Sequence, residues 1–181
     1  MLSFIAAALE GDFLDSLPEI VGACGRRSVG KVQYFTDWAT ASSLGYCEDH
    51  LAAAFSGTWT VLVDDEVVSE YLFDNPTVGA ALATRYGTRV VSAFAHSVAG
   101  ICGYRVHTPT GSRSVVINNG IVEADEGEPL PGEDTANLDK HWMWSVLDVL
   151  KLVGLDVADG VVASTRCVVV QLAPKRAEQA G

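Results

Sequence analysis

The hydrophobic positions of this chain fall into short blocks, and few of them repeat at helical spacing. The opening block "SFIAAALEG" is apolar almost throughout, and its periodicity fits a strand or a helix equally. "DFLDSLPEIVGACG" predicts a short helix, with Asp12 as a possible N-cap and Gly25 near its end. Pro18 must stand near the start of that helix or split it in two. "GKVQYFTDW" alternates and is rich in β-formers, which predicts a strand from Lys31 to Trp38. "SSLGYCEDHLAAAF" predicts a loop and a short helix, and "GTWTVLVDD" a strand from Thr58 to Val63. "NPTVGAALATRYG" predicts a helix capped by Asn75, with Pro76 at its first position and Gly87 at its exit.

From Thr88 the pattern turns to sheet. "TRVVSAFAHSV" and "GICGYRVHT" are two strands or one bent strand, with Gly100 and Gly103 marking a kink or bulge. "SRSVVIN" and "IVEAD" flank Asn119-Gly120, a pair suited to a type I′ hairpin. "NLDKHWMWSVLDVLKLVG" predicts a helix from Leu138 to Val153. It aligns Leu138, Trp142, Val146, Val149 and Val153 as a core stripe and leaves Trp144 on the charged face. A final strand is expected from Thr165 to Leu172. Together these elements predict one α+β domain over residues 1–173. Its sheet should be largely antiparallel or mixed, with helices packed mainly on one face, and residues 174–181 should form a flexible tail.

Composition narrows the function classes. An apolar fraction of 49% in 181 residues is enough for a packed core without disulfides or metal. No apolar run reaches the length of a membrane helix, and the apolar start has no basic flank of the kind that precedes a signal peptide. The expected location is the cytoplasm. Cys24, Cys47, Cys102 and Cys167 are widely spaced with no C-x-x-C, so they read as reduced core thiols. The net charge of −11 argues against nucleic acid, since only Arg26, Arg27 and Lys31 form a basic cluster. An acidic surface steers basic partners instead.

Two stretches carry candidate chemistry. His96 stands beside Ser97, but strand neighbours point to opposite faces, so the two are not a nucleophile–base pair. His96 is expected to be buried and hydrogen-bonded in the sheet, or to work with a distant carboxylate such as Glu123 or Glu128. The four histidines show no metal-ligand spacing, and no metal or cofactor is expected. The second stretch is the loop "EADEGEPLPGED", with six carboxylates in the twelve residues from Glu123 to Asp134, stiffened by Pro129 and Pro131. It suits a docking element in which Glu126, Glu128 and Glu133 supply charge and Leu130 or Trp144 an apolar anchor.

His96, Ser97, Val98, Tyr104, Arg113, Ser114, Gly120, Glu123 and the run Gly127 to Pro131 together resemble uncharacterised bacterial domain families. These share a His-Ser-Val strand followed by a Gly-Glu-Pro-Leu-Pro loop. The resemblance spans about a quarter of the chain, implies one domain, and brings no activity with it. Three functions are compatible with these residues. The first is a non-enzymatic acidic interaction domain for a basic protein, with an immunity- or antitoxin-like protein as one form. The second is a small-molecule hydrolase using His96 with a loop carboxylate. The third is a small-ligand sensor.

Overall fold

The computed structural model describes residues 3–45, 47, 49–64, 68–96, 98–133, 142–155 and 166–174, with the side chains of Ser3, Phe4, Asp64, Trp142, Met143 and Trp144 left out. Among these residues nine strands form one sheet, antiparallel at every pairing: β1 Ser3–Glu10, β2 Ser28–Phe35, β3 His50–Ser56, β4 Trp59–Asp64, β5 Val90–His96, β6 Ile101–Thr108, β7 Gly111–Asn118, β8 Ile121–Glu126 and β9 Cys167–Leu172. Their order is β2-β9-β3-β4-β1-β5-β6-β7-β8, so β2 and β8 are the edge strands among the described residues. Five α-helices accompany them: α1 Leu17–Ala23, α2 Trp38–Gly45, α3 Ser69–Asp74, α4 Pro76–Tyr86 and α5 Trp142–Leu152. No helix among the described residues is long and apolar enough to cross a membrane.

The helices are not gathered on one face. Alternate residues of the central strands feed two separate cores. Ala8, Ala52, Ala54, Val91 and Val169 pack with Val146, Val149 and Leu150 of α5 and Ala41 of α2. Ala7, Leu9, Leu51, Ala53, Val168 and Val170 pack with Ile20 of α1, Leu72 of α3 and Leu82 of α4. This corrects the expected one-sided layer. The signal lay in the unbroken runs "AAAL", "LAAAF" and "CVVV": a half-exposed strand alternates, whereas these strands are covered on both sides.

The same effect explains the missed strand. "HLAAAF" was expected to be helical because alanine favours helices, but Leu51, Ala52, Ala53 and Ala54 are all fully buried in β3. Small side chains there let α2 come close. A Cβ on Gly45 of α2 would stand 2.7 Å from the Ala52 Cβ. The segment before it, expected to be loop, carries α2 instead, and Trp38 begins that helix rather than ending β2.

Other local expectations hold in part. Pro18 does divide its segment, into a 3-10 turn at Leu14–Ser16 and then α1. α4 starts at Pro76 and ends on Gly87 in the left-handed region, and Asn75 stands at its N-cap position without a side-chain capping bond. The Asn75 side chain instead donates to the Tyr71 carbonyl at the end of α3. Asn119 and Gly120 both take positive φ, 48° and 78°, as a type I′ turn requires. Cys24, Cys102 and Cys167 are buried as expected of core thiols, whereas Cys47, just past the end of α2, is exposed. Leu138 and the tail 175–181 lie outside the described residues.

Candidate functional site

The antiparallel ladder β5-β6-β7-β8 places most of the residues singled out in the sequence. His96 ends β5 and is exposed, contrary to the expected burial, because the strand stops there and the chain turns. Its Nδ1 accepts from the Ala99 amide at 3.1 Å, so it closes the turn into β6. Ser97 lies outside the described residues. His96 and Glu123 are not brought together. Two strands separate β5 from β8, which places the two backbones roughly 14 Å apart at sheet spacing. Glu128 is at the other end of the sheet, beside Ser112 and Leu130.

The acidic stretch divides into an edge strand and a clasped loop. Glu123, Asp125 and Glu126 belong to β8, and all three are exposed. Glu123 accepts from the Asn118 amide group at 2.8 Å and sits where the register of β8 slips by one residue. Such a bulge twists an edge away from regular pairing. Glu126 and Glu128 are both exposed.

Glu133 departs most from expectation. It is 3% exposed, and it forms a paired contact with Arg113, itself 5% exposed. Arg113 Nε donates to both Glu133 oxygens, at 2.9 and 3.1 Å, and Nη2 donates to Oε1. Arg113 Nη1 reaches Asp125 and the carbonyls of Glu126 and Gly127, both at 3.2 Å. Glu133 also takes the Leu130 amide at 2.7 Å, which closes the loop on itself. The loop therefore clips onto β7 from the side, and Glu133 is its latch. Gly127 explains why the run begins with glycine: its φ is +82°, and a Cβ there would run into the Ser112 carbonyl. Leu130 is half-buried against the α5-side core.

Electrostatics follow the geometry. The hydrogen bonds that Arg113 donates to Glu133 raise the Arg113 pKa, against the pull of burial. Burial pushes the Glu133 carboxyl up, but Arg113 and the Leu130 amide together hold it below its ordinary value. The nearby Tyr104 phenol is raised, first by burial and then by Glu133.

Sequence reasoning missed the opposite face of the same strands. His107 of β6 is 2% exposed, under α4. Its Nδ1 is 2.7 Å from Ser112 Oγ, its direct partner across the ladder, while Nε2 is buried with no hydrogen bond. Burial first, and the Arg105 charge second, pull its pKa down to about 4. Arg105 stacks over Phe73 at 4.8 Å from the ring centroid, and its Nη1 donates to Ser114 Oγ at 2.8 Å. Pro76, Thr77 and Ala80 of α4 wall a cleft of about 220 Å³ above these side chains, and Glu126 stands at its rim. The signal was present in the sequence: Arg105 and His107 are two residues apart in β6, and Ser112 and Ser114 two apart in β7, so each pair shares a face of its strand.

Gly79 lets α4 lie flat on His107. A Cβ there would stand 2.7 Å from Nε2 and closer still to Cδ2. Gly79→Ala is expected to destabilise the protein by about 1–3 kcal/mol through overpacking, despite alanine's better helix propensity. A urea midpoint equal to or above the parent's would show that α4 shifts freely.

Trp144 lies on α5, whose backbone is described, but its side chain is outside the described residues. Ser145, Val146, Val149 and Leu150 face inward, as the stripe expected for the valines. Comparison with family models, with curated proteins and with solved structures finds no match to this chain.

Proposed function

We propose that this chain is a non-enzymatic interaction domain that offers the β8 edge to a basic protein segment. One observation carries the reading. Among the described residues β8 is the terminal strand with no neighbour on its outer edge, it carries Glu123, Asp125 and Glu126, and the clasped loop adds Glu128. Two exposed apolar residues, Ile121 at 69% and Val122 at 48%, lie at its start. An extended segment bearing lysine or arginine can add to such an edge, taking affinity from main-chain hydrogen bonds and selectivity from charge. A second copy of β8 is disfavoured, because its own carboxylates would face these.

The clasp supports the same reading. Arg113 and Glu133 hold β8 and the loop in place before any partner arrives, which lowers the ordering cost of docking. An immunity- or antitoxin-like role, capping a basic protein, is one form this function takes. The partner is protein rather than nucleic acid, given the net charge of −11.

The test uses Glu123→Gln together with Glu128→Gln, which spares the residues bonded to Arg113. Stability should stay within about 0.5 kcal/mol of the parent, because both groups are exposed. Binding of an extended peptide alternating lysine and valine, followed by amide exchange at β8, should weaken several-fold at low salt. It should lose most of its salt dependence. Unchanged binding, or protection of strands other than β8, would remove the edge as the docking surface.

A further inference from the structure

The cleft between α4 and the β6-β7-β8 ladder is separate from the outward edge of β8, and its polar groups are unevenly satisfied. Arg105, Ser114 and Glu126 occupy one row across three neighbouring strands, since Arg105 pairs with Ser114 and Ser114 with Glu126. His107 and Ser112 form the adjacent row. Among the described residues Arg105 bonds only Ser114 and has no carboxylate partner, and its Nε is buried with no acceptor. His107 Nε2 is also unmet, but it lies against Gly79 of α4, so the cleft's recognition falls to Arg105. Buried polar atoms without partners are uncommon, and in a cleft they mark where a ligand or water belongs.

The charges choose the ligand. A fixed guanidinium held by an aromatic face and a serine suits a carboxylate. The first turn of α4, at Thr77, adds the positive end of its helix dipole on the same side. Glu126 at the rim repels a dianion and attracts an ammonium group. A volume of about 220 Å³ admits a ligand of amino-acid size and little more.

We propose that the α4–β6–β7 cleft binds a small zwitterion of the α-amino-acid type, its carboxylate on Arg105 and Ser114 and its ammonium on Glu126. The site shares Glu126 with the edge-strand docking proposed above and otherwise uses the α4 side of the sheet rather than the outer edge of β8.

The test titrates the intact protein with the common L-amino acids singly, and with acetate, methylammonium and inorganic phosphate as controls. Binding is read by calorimetry and by chemical-shift changes at Arg105, His107 and Ser114. At least one amino acid should bind at least ten-fold more tightly than acetate or phosphate. Arg105→Gln should weaken it at least ten-fold. Ala80→Leu, which fills the cleft without touching its polar groups, should do the same if Arg105→Gln disturbs folding. Glu126→Gln should reduce the preference for the amino acid over acetate by several-fold. The proposal is overturned if no amino acid shifts these resonances at 10-fold excess over millimolar protein. It is overturned equally if phosphate binds best and Glu126→Gln tightens it, which marks a plain anion site.

Discussion

Glu133→Ala is expected to cost about 3–5 kcal/mol of folding stability, the largest effect of any single carboxylate in this chain. The substitution leaves the Arg113 guanidinium, 5% exposed, without its main partner in a place water does not reach. Asp125 and the carbonyls of Glu126 and Gly127 remain on Nη1, but Nε and Nη2 lose their acceptors. The loop also loses the bond between Glu133 and the Leu130 amide. Urea denaturation of the two proteins at neutral pH reads the difference directly. Asp125→Asn provides the contrast: its side chain is 64% exposed, so under about 1 kcal/mol should be lost. Arg113→Met combined with Glu133→Leu should recover much of the loss, because an apolar pair carries no desolvation cost. A Glu133→Ala midpoint that reports less than about 1 kcal/mol would mean that the loop is held by something other than this pair.

The second large effect is acid sensitivity centred on His107. Its folded-state pKa is pulled down to about 4, by burial and then by Arg105, whereas an unfolded chain titrates near 6.5. Between those values the unfolded chain takes up a proton that the folded protein refuses. Stability therefore rises with pH across this window and falls as pH drops from about 6.5 toward 4. The full span is worth on the order of 3 kcal/mol. His107→Gln should flatten this window while keeping a hydrogen bond to Ser112. The carboxylates act lower. Glu133, Glu10 and Asp37 all have depressed values, so their contributions are present above their unfolded pKa values and are lost below about pH 4.5. Urea midpoints measured from pH 4.5 to 7 separate the two. If His107→Gln leaves the slope between pH 5 and 6.5 unchanged, the imidazole is not the titrating group.

Both effects come from residues whose importance depends on neighbours distant in sequence. Glu133 has the same one-residue surroundings as any loop carboxylate, prolines and glycines included. Its burial follows from Arg113, twenty positions earlier, and from the sheet that carries Arg113 to the same face. His107 was unremarked because a histidine in a strand is ordinary. What sets it apart is α4 above it, brought close by Gly79. His96 drew attention through its neighbour Ser97, yet β5 ends there and leaves it in solvent.

The sequence by itself determined most elements that rest on local physics. The strands Trp59–Asp64 and Gly111–Asn118 follow from β-branched and aromatic alternation, whereas that pattern left Val90–His96 and Ile101–Thr108 open as two strands or one bent strand. The type I′ turn follows from Asn119-Gly120, and the limits of α4 from Pro76 and Gly87. Tertiary structure alone decided the rest. Alanine-rich "HLAAAF" became a strand because a central sheet position with helices on both sides rewards small residues more than propensity opposes them. The helices took both faces because unbroken apolar strands expose apolar surface on each. The acidic stretch split into a solvated edge and a buried latch because a guanidinium inside a sheet layer must be met by a carboxylate, and Glu133 was in reach. Local sequence sets what each segment prefers; which charges are buried together depends on where the whole sheet puts them.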